Sequence, residues 1–174
     1  MAIDFVTSNP AIQARRLLTE DLRNFQVSSL VLSPTLWAQY ANPILLDWRK
    51  IKFNQEDLDK VPDDAYGIYT FIVEPGVANH PHCSYLLYLG KAEDQSLRAR
   101  IRQYFYEINN PKGRGPVQDM IVKWHTHLFV CFACVENTAL IDGLENSLLQ
   151  AFVPPVNQTY KGEFGQAYRA WRQI

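Results

Sequence analysis

Glu145 stands where a carboxylate is costly. Ile141, Leu144, Leu148, Leu149 and Phe152 recur at helical spacing, and steps of four place Glu145 between Ile141 and Leu149 on that apolar face. An ionised carboxylate there calls for compensation, which a divalent metal or an arginine would supply; a glutamate at the stripe's edge that reaches water fits the same pattern. Arg100 holds a similar position, three residues after Leu97 and four before Tyr104, whereas Arg98 and Arg102 point elsewhere. Arg100 and Tyr104 therefore present a guanidinium and a phenol to one spot. Such a guanidinium can grip two phosphate oxygens and offset charge that grows during displacement, or it can lie over its neighbours through its stem.

Tyr69 and Tyr88 fall in two apolar, β-rich runs. A phenol has an ordinary pKa of roughly 10, so ionising it at neutral pH costs about 4 kcal/mol. A nearby cation, Lys91 or a metal, lowers that cost. Histidines and cysteines suggest a competing chemistry: His80, His82 and Cys83 cluster, as do His125, His127, Cys131 and Cys134, and a structural zinc site can be drawn from them. Strand geometry opposes it, because positions 131 and 134 of a regular strand point to opposite faces.

Elements must carry these groups. Residues 1 to about 60 read as helical: Ser8-Asn9-Pro10 caps a helix with Ile12, Leu18, Leu22 and Phe25 at its spacing, a second starts at Pro34, and Pro43 to Phe53 includes a third. Such a segment is too small for its own core and is expected to extend the domain that follows. Tyr66–Val73 and Tyr85–Leu89 read as strands of an antiparallel hairpin with a long connection. Ser96 caps a helix whose apolar side is Leu97, Ile101, Tyr104, Phe105 and Ile108. After the loop Asn109–Pro116 come a short helix near Val117–Lys123, a third strand within Trp124–Val135, and a last strong helix capped by Asn137 or Thr138 and ended by Pro154-Pro155. Residues 161–174 form a tail with Tyr168 and Trp171 as anchors.

Composition fits a folded domain, with 47% hydrophobic and 20% charged residues. The start has no basic, apolar leader, and the stretch Leu30–Trp48 is interrupted by Pro34, Gln39, Asn42, Pro43 and Asp47, so a cytoplasmic, non-membrane protein is expected. Three cysteines agree with free thiols in a reducing compartment. Net charge is −1, but Lys91 to Lys123 carries seven basic against four acidic residues, and its Arg98, Arg102, Lys112 and Arg114 are candidate phosphate contacts.

In order along the chain stand Gly67-Ile68-Tyr69, Tyr88-Leu89-Gly90-Lys91-Ala92, Leu97-x-x-Arg100-x-x-x-Tyr104-Phe105, Leu144-Glu145 and Pro155-x-Asn157. Over about Pro62 to Tyr160 the chain resembles the GIY-YIG nuclease superfamily, closest in pattern to the excision-repair branch. It departs from that pattern in a long connection between Tyr69 and Tyr88, in a Gly90-to-Arg100 step about two residues longer than usual, which makes Arg98 a rival of Arg100, and in a tyrosine at 104 where many members have a histidine. The resemblance implies an α+β fold: a small three-stranded antiparallel sheet flanked by helices over residues 61–160, preceded by the helical extension 1–60 and followed by the tail.

It also implies an endonuclease hydrolysing phosphodiester bonds in DNA with one Mg²⁺ or Mn²⁺. Glu145 would be the metal ligand, Tyr69 or Tyr88 the proton acceptor aided by Lys91, and Arg100 the group that stabilises the transition state. Tyr104 and Asn157 would hold positions through hydrogen bonds, and Gly90, Arg98, Arg102, Lys112 and Arg114 would meet the substrate. No zinc-finger, helix-turn-helix or basic tail accompanies these residues, so specificity is expected to be low or to come from a homodimer or a partner subunit. The alternative is a noncatalytic nucleic-acid-binding or scaffold module that keeps the fold.

Overall fold

The structure, a computed structural model, describes residues 31–32, 34–40, 44–80 and 82–171. The helix expected after Ser8 lies outside them. The order is α1 (Pro34–Gln39), β1 (Arg49–Lys52), β2 (Gly67–Val73), β3 (Tyr85–Ala92), α2 (Leu97–Glu107), α3 (Gly115–Trp124), β4 (Leu128–Cys134), α4 (Ile141–Phe152) and α5 (Gly162–Trp171). Ser96 caps α2 as its residue type dictates, its side chain accepting a hydrogen bond from the Ala99 amide at 3.2 Å. Asn137 caps a single 3₁₀ turn that leads into α4.

The sheet has four antiparallel strands in the order β1-β4-β2-β3, one more than expected. The added strand is β1, in a stretch expected to be helical. Its sequence Arg-Lys-Ile-Lys buries only Ile51, yet it pairs with β4 through Arg49 opposite Phe132 and Ile51 opposite Val130. Lys50 reaches the Glu74 carboxylate at 2.7 Å and lies 5.3 Å from the centre of the Phe129 ring. Three cations on four residues suit a solvated edge strand that resists pairing with another chain. The sheet thus begins before residue 60, inside the stretch assigned to the extension.

Alternation along the strands feeds two cores. Tyr69, Phe71 and Val73 of β2 pack with Leu97, Ile101 and Tyr104 of α2 and with Val117, Met120 and Ile121 of α3. Ile68 and Leu89 face Ile141, Leu144, Leu148 and Leu149 of α4, beyond which Tyr160 and Tyr168 close the layer. Each fully buried leucine or isoleucine stabilises this sandwich by about 1.5–3 kcal/mol. Gly67 is required by contact, because a Cβ there would lie 2.0 Å from the Ala133 carbonyl oxygen. Between Phe71 and Ile72 the register with β3 shifts by one residue, and this bulge turns both Leu87 and Tyr88 toward the α2 side. No helix among the described residues is long and apolar enough to cross a membrane.

Candidate active site

Among the described residues strand β3 is an outer strand of the sheet, and past the bulge its successive residues serve opposite faces. Gly90 pairs with Tyr69, on the α2 side, whereas Lys91 pairs with Ile68, on the α4 side. A cavity of about 210 Å³ opens at that edge, where the two layers meet, and its lining includes Tyr69, Tyr88, Gly90, Lys91, Arg100 and Glu145. Six residues spread over 77 positions of the chain thus share one space. Gly90 lets the Tyr69 side chain lie against β3: a Cβ there would stand 2.5 Å from the Tyr69 hydroxyl.

The α2 half is aromatic and buried. Tyr69 and Tyr104 hydroxyls are 2.8 Å apart, and Arg100 Nε donates to the Tyr69 hydroxyl at 3.2 Å. Arg100 Nη1 donates to Gln103, whose amide donates in turn to Gln95. Burial pushes the Tyr69 phenol up from its ordinary pKa, and the neighbouring Tyr88 adds to this; Arg100 and the Tyr104 hydrogen bond only partly offset them. Tyr104 is raised for the same first reason, desolvation.

The α4 half is ionic. Lys91 Nζ contacts the carboxylates of Glu93 and Asp142, and lies 3.9 Å from Glu145 Oε2. Asp142 also takes Lys161 at 2.8 Å. Hydrogen bonds from Lys161 and Lys91 hold the Asp142 carboxyl down at about 2. Glu145 behaves oppositely: its side chain is 16% exposed, and burial raises its carboxyl above the ordinary value despite Lys91. Among the described residues its one ion pair is that long contact with Lys91, so its charge is incompletely compensated. The costly position read on the α4 stripe is therefore occupied, between buried Ile141 and Leu149.

Asn157 is buried and turned to the backbone. Its amide clamps Leu89, accepting from the amide nitrogen at 2.9 Å and donating to the carbonyl at 2.8 Å. It fixes β3 between Tyr88 and Gly90. Arg114, from the loop before α3, reaches the site: Nη1 donates to the Tyr88 hydroxyl at 3.1 Å, and the guanidinium lies 5.2 Å from the centre of the Tyr104 ring. Glu107 holds it, accepting from the Arg114 amide at 2.8 Å and from Nε at 3.2 Å.

Three expected substrate contacts lie elsewhere. Arg98 turns away, its Nε donating to the Val61 carbonyl and Nη2 to the Asp59 carbonyl, so it staples α2 to the chain before β2. Arg102 and Lys112 are exposed and line neither this cavity nor the neighbouring one. Glu93, Asp142 and Lys161 were not legible in the sequence, because ion pairs between polar surface residues leave no periodic trace. Among the described residues no three His, Cys, Asp or Glu side chains form a ligand group, and all three cysteines are free.

In comparison with known proteins, the chain matches no family model and no curated protein.

Proposed function

We propose that this protein is a GIY-YIG-type endonuclease that hydrolyses phosphodiester bonds in DNA at the β3-edge cavity. The observation that carries the reading is the convergence of Tyr69, Tyr88, Lys91, Arg100 and Glu145 on one space. Glu145 fits a divalent metal by its chemistry: it is a hard oxygen donor facing the cavity, with a charge its surroundings under-compensate. A single carboxylate, with water and substrate oxygens completing the shell, suits Mg²⁺ or Mn²⁺. When bound, the ion supplies Lewis-acid stabilisation of charge on phosphate oxygens.

The remaining steps belong to the chain's own groups. Arg100, anchored through Nε and Nη1, has further N–H donors to offer a phosphate whose charge rises as water attacks phosphorus. A phenol accepts a proton only after shedding its own. Tyr69 is fully enclosed and resists this, so its hydroxyl orients its neighbours. Tyr88 lines both this cavity and the neighbouring one and takes a hydrogen bond from Arg114, which makes it the better placed acceptor of the proton of water. Lys91, ringed by carboxylates, keeps an ammonium beside the same space.

The test is nicking of supercoiled plasmid in Mg²⁺ or Mn²⁺ by wild type, Tyr69→Phe and Tyr88→Phe. Tyr88→Phe is expected to lose most activity and Tyr69→Phe much less. Full activity in both would reject a tyrosine acceptor.

A further inference from the structure

A second cavity of about 270 Å³ adjoins the first and shares Tyr88 and Glu145 with it. We infer that this second cavity is a subsite for one unpaired nucleotide next to the cut phosphate, which makes single-stranded or frayed DNA the preferred substrate. The inference rests on the nuclease reading above and deepens it.

Two features of the walls carry it. The lining mixes apolar groups, Pro116 and Val117 at the start of α3, Leu149 of α4 and Val156, with two cations, Arg114 and Lys161, beside the Glu145 carboxylate and the polar Gln158. A nucleotide has the matching duality: an apolar base and sugar, and an anionic phosphate that charge-assisted hydrogen bonds favour. The volume falls just below the roughly 300–1,000 Å³ of pockets that enclose a drug-sized ligand, which suits one such unit. A concave pocket of this size takes a base only when it leaves the stack, and that is cheapest where the strand is already unpaired.

The cationic wall is built in advance. Glu107 fixes Arg114 from both its amide and Nε, and Gln118 ties the same loop by donating to the Glu107 and Asn110 carbonyls at 2.7 and 2.8 Å. Gly113 allows that approach, since a Cβ there would lie 2.4 Å from Gln118 Nε2. Lys161 is positioned by Asp142. Because Arg114 also touches the Tyr88 hydroxyl, a phosphate drawn to it lies beside the phenol assigned to the first cavity.

The experiment measures binding of fluorescein-labelled dT12 and of a 12-base-pair duplex by anisotropy in EDTA, where no cutting is needed. Wild type is expected to bind dT12 at least about tenfold more tightly than duplex. Arg114→Gln and Lys161→Gln should each weaken dT12 binding roughly five- to twentyfold and lower the salt dependence by about one phosphate contact. Gln158→Trp, which places bulk in the cavity without removing a charge, should abolish the preference for the single strand. Lys123→Gln, far from both cavities, is the control. Binding within twofold of wild type in all three cavity variants overturns the inference, as does equal weakening of strand and duplex. Nicking measured in parallel separates the two readings: Glu145-dependent nicking with unaltered dT12 binding rejects the subsite alone, and altered dT12 binding without nicking rejects the nuclease alone.

Discussion

The two halves of the β3-edge cavity are built on different physics. On the α2 side, Tyr69, Tyr104 and Arg100 form a buried, neutral-plus-one-cation cluster joined by specific hydrogen bonds. On the α4 side, Lys91, Glu93, Asp142, Glu145 and Lys161 form a partly exposed ionic network. Buried hydrogen bonds stabilise a fold strongly when complete and are costly when broken, whereas exposed ion pairs contribute little. Substitutions on the first side should therefore act through both stability and reaction, and those on the second mainly through reaction. On the proposed reading, the aromatic half holds Arg100 for the phosphate and the ionic half holds Glu145 for the metal.

Short of the complete loss expected at Glu145, the largest expected effect is at Arg100. Arg100→Ala should lower the nicking rate by about 10²–10³-fold, in line with loss of one transition-state donor, while circular dichroism stays unchanged. An effect under tenfold would move the stabilising cation to Arg114. Next comes Asn157→Ala, which leaves the Leu89 amide and carbonyl without partners and should destabilise the fold by about 2–4 kcal/mol in urea titration. Tyr104→Phe removes one buried hydroxyl contact and should cost about 1 kcal/mol, with Tyr69 still receiving Arg100.

The ionic half should respond to pH with small and opposite signs. Asp142 is held at about 2, below its ordinary 3.8, so its contribution is complete above that ordinary value and is lost as pH falls toward 2. Asp142→Asn should flatten that limb of the stability curve only slightly, since the pairs are exposed. Glu145 is raised, so its ionised form opposes folding at neutral pH, and the opposition fades as pH drops through the raised value. Glu145→Gln should accordingly be at least as thermally stable as wild type at pH 7.5. A marked loss of melting temperature would show that Glu145 belongs to the frame.

Most of the frame was legible because it follows periodicity. Tyr66–Val73 and Tyr85–Leu89 announce strands through β-branched and aromatic residues, where the fold has Gly67–Val73 and Tyr85–Ala92, Ser96 marks the start of α2, and the stripe of α4 exposes Glu145 as an anomaly. Strand β1 was hidden because Arg49-Lys50-Ile51-Lys52 carries one apolar residue, and only pairing with Phe132 and Val130 gives it a state. Spacing alone does not tell Arg98 from Arg100, whereas in the fold Arg98 is held by the carbonyls of Val61 and Asp59 and Arg100 lines the cavity. The approach of Arg114 to Tyr88 depends on how the loop before α3 folds back on Glu107, which spacing along the chain does not encode.

On the proposed function Glu145 serves the reaction and not the fold, and cleavage and melting compared on the same samples separate the two roles. Supercoiled plasmid is incubated with wild type and Glu145→Gln in Mg²⁺, in Mn²⁺ and in EDTA, with melting curves recorded on the same preparations. Wild type is expected to nick in either metal and not in EDTA, and the variant, equally stable, is expected not to nick at all. Equal nicking by both proteins, or no nicking by folded wild type in either metal, would contradict it.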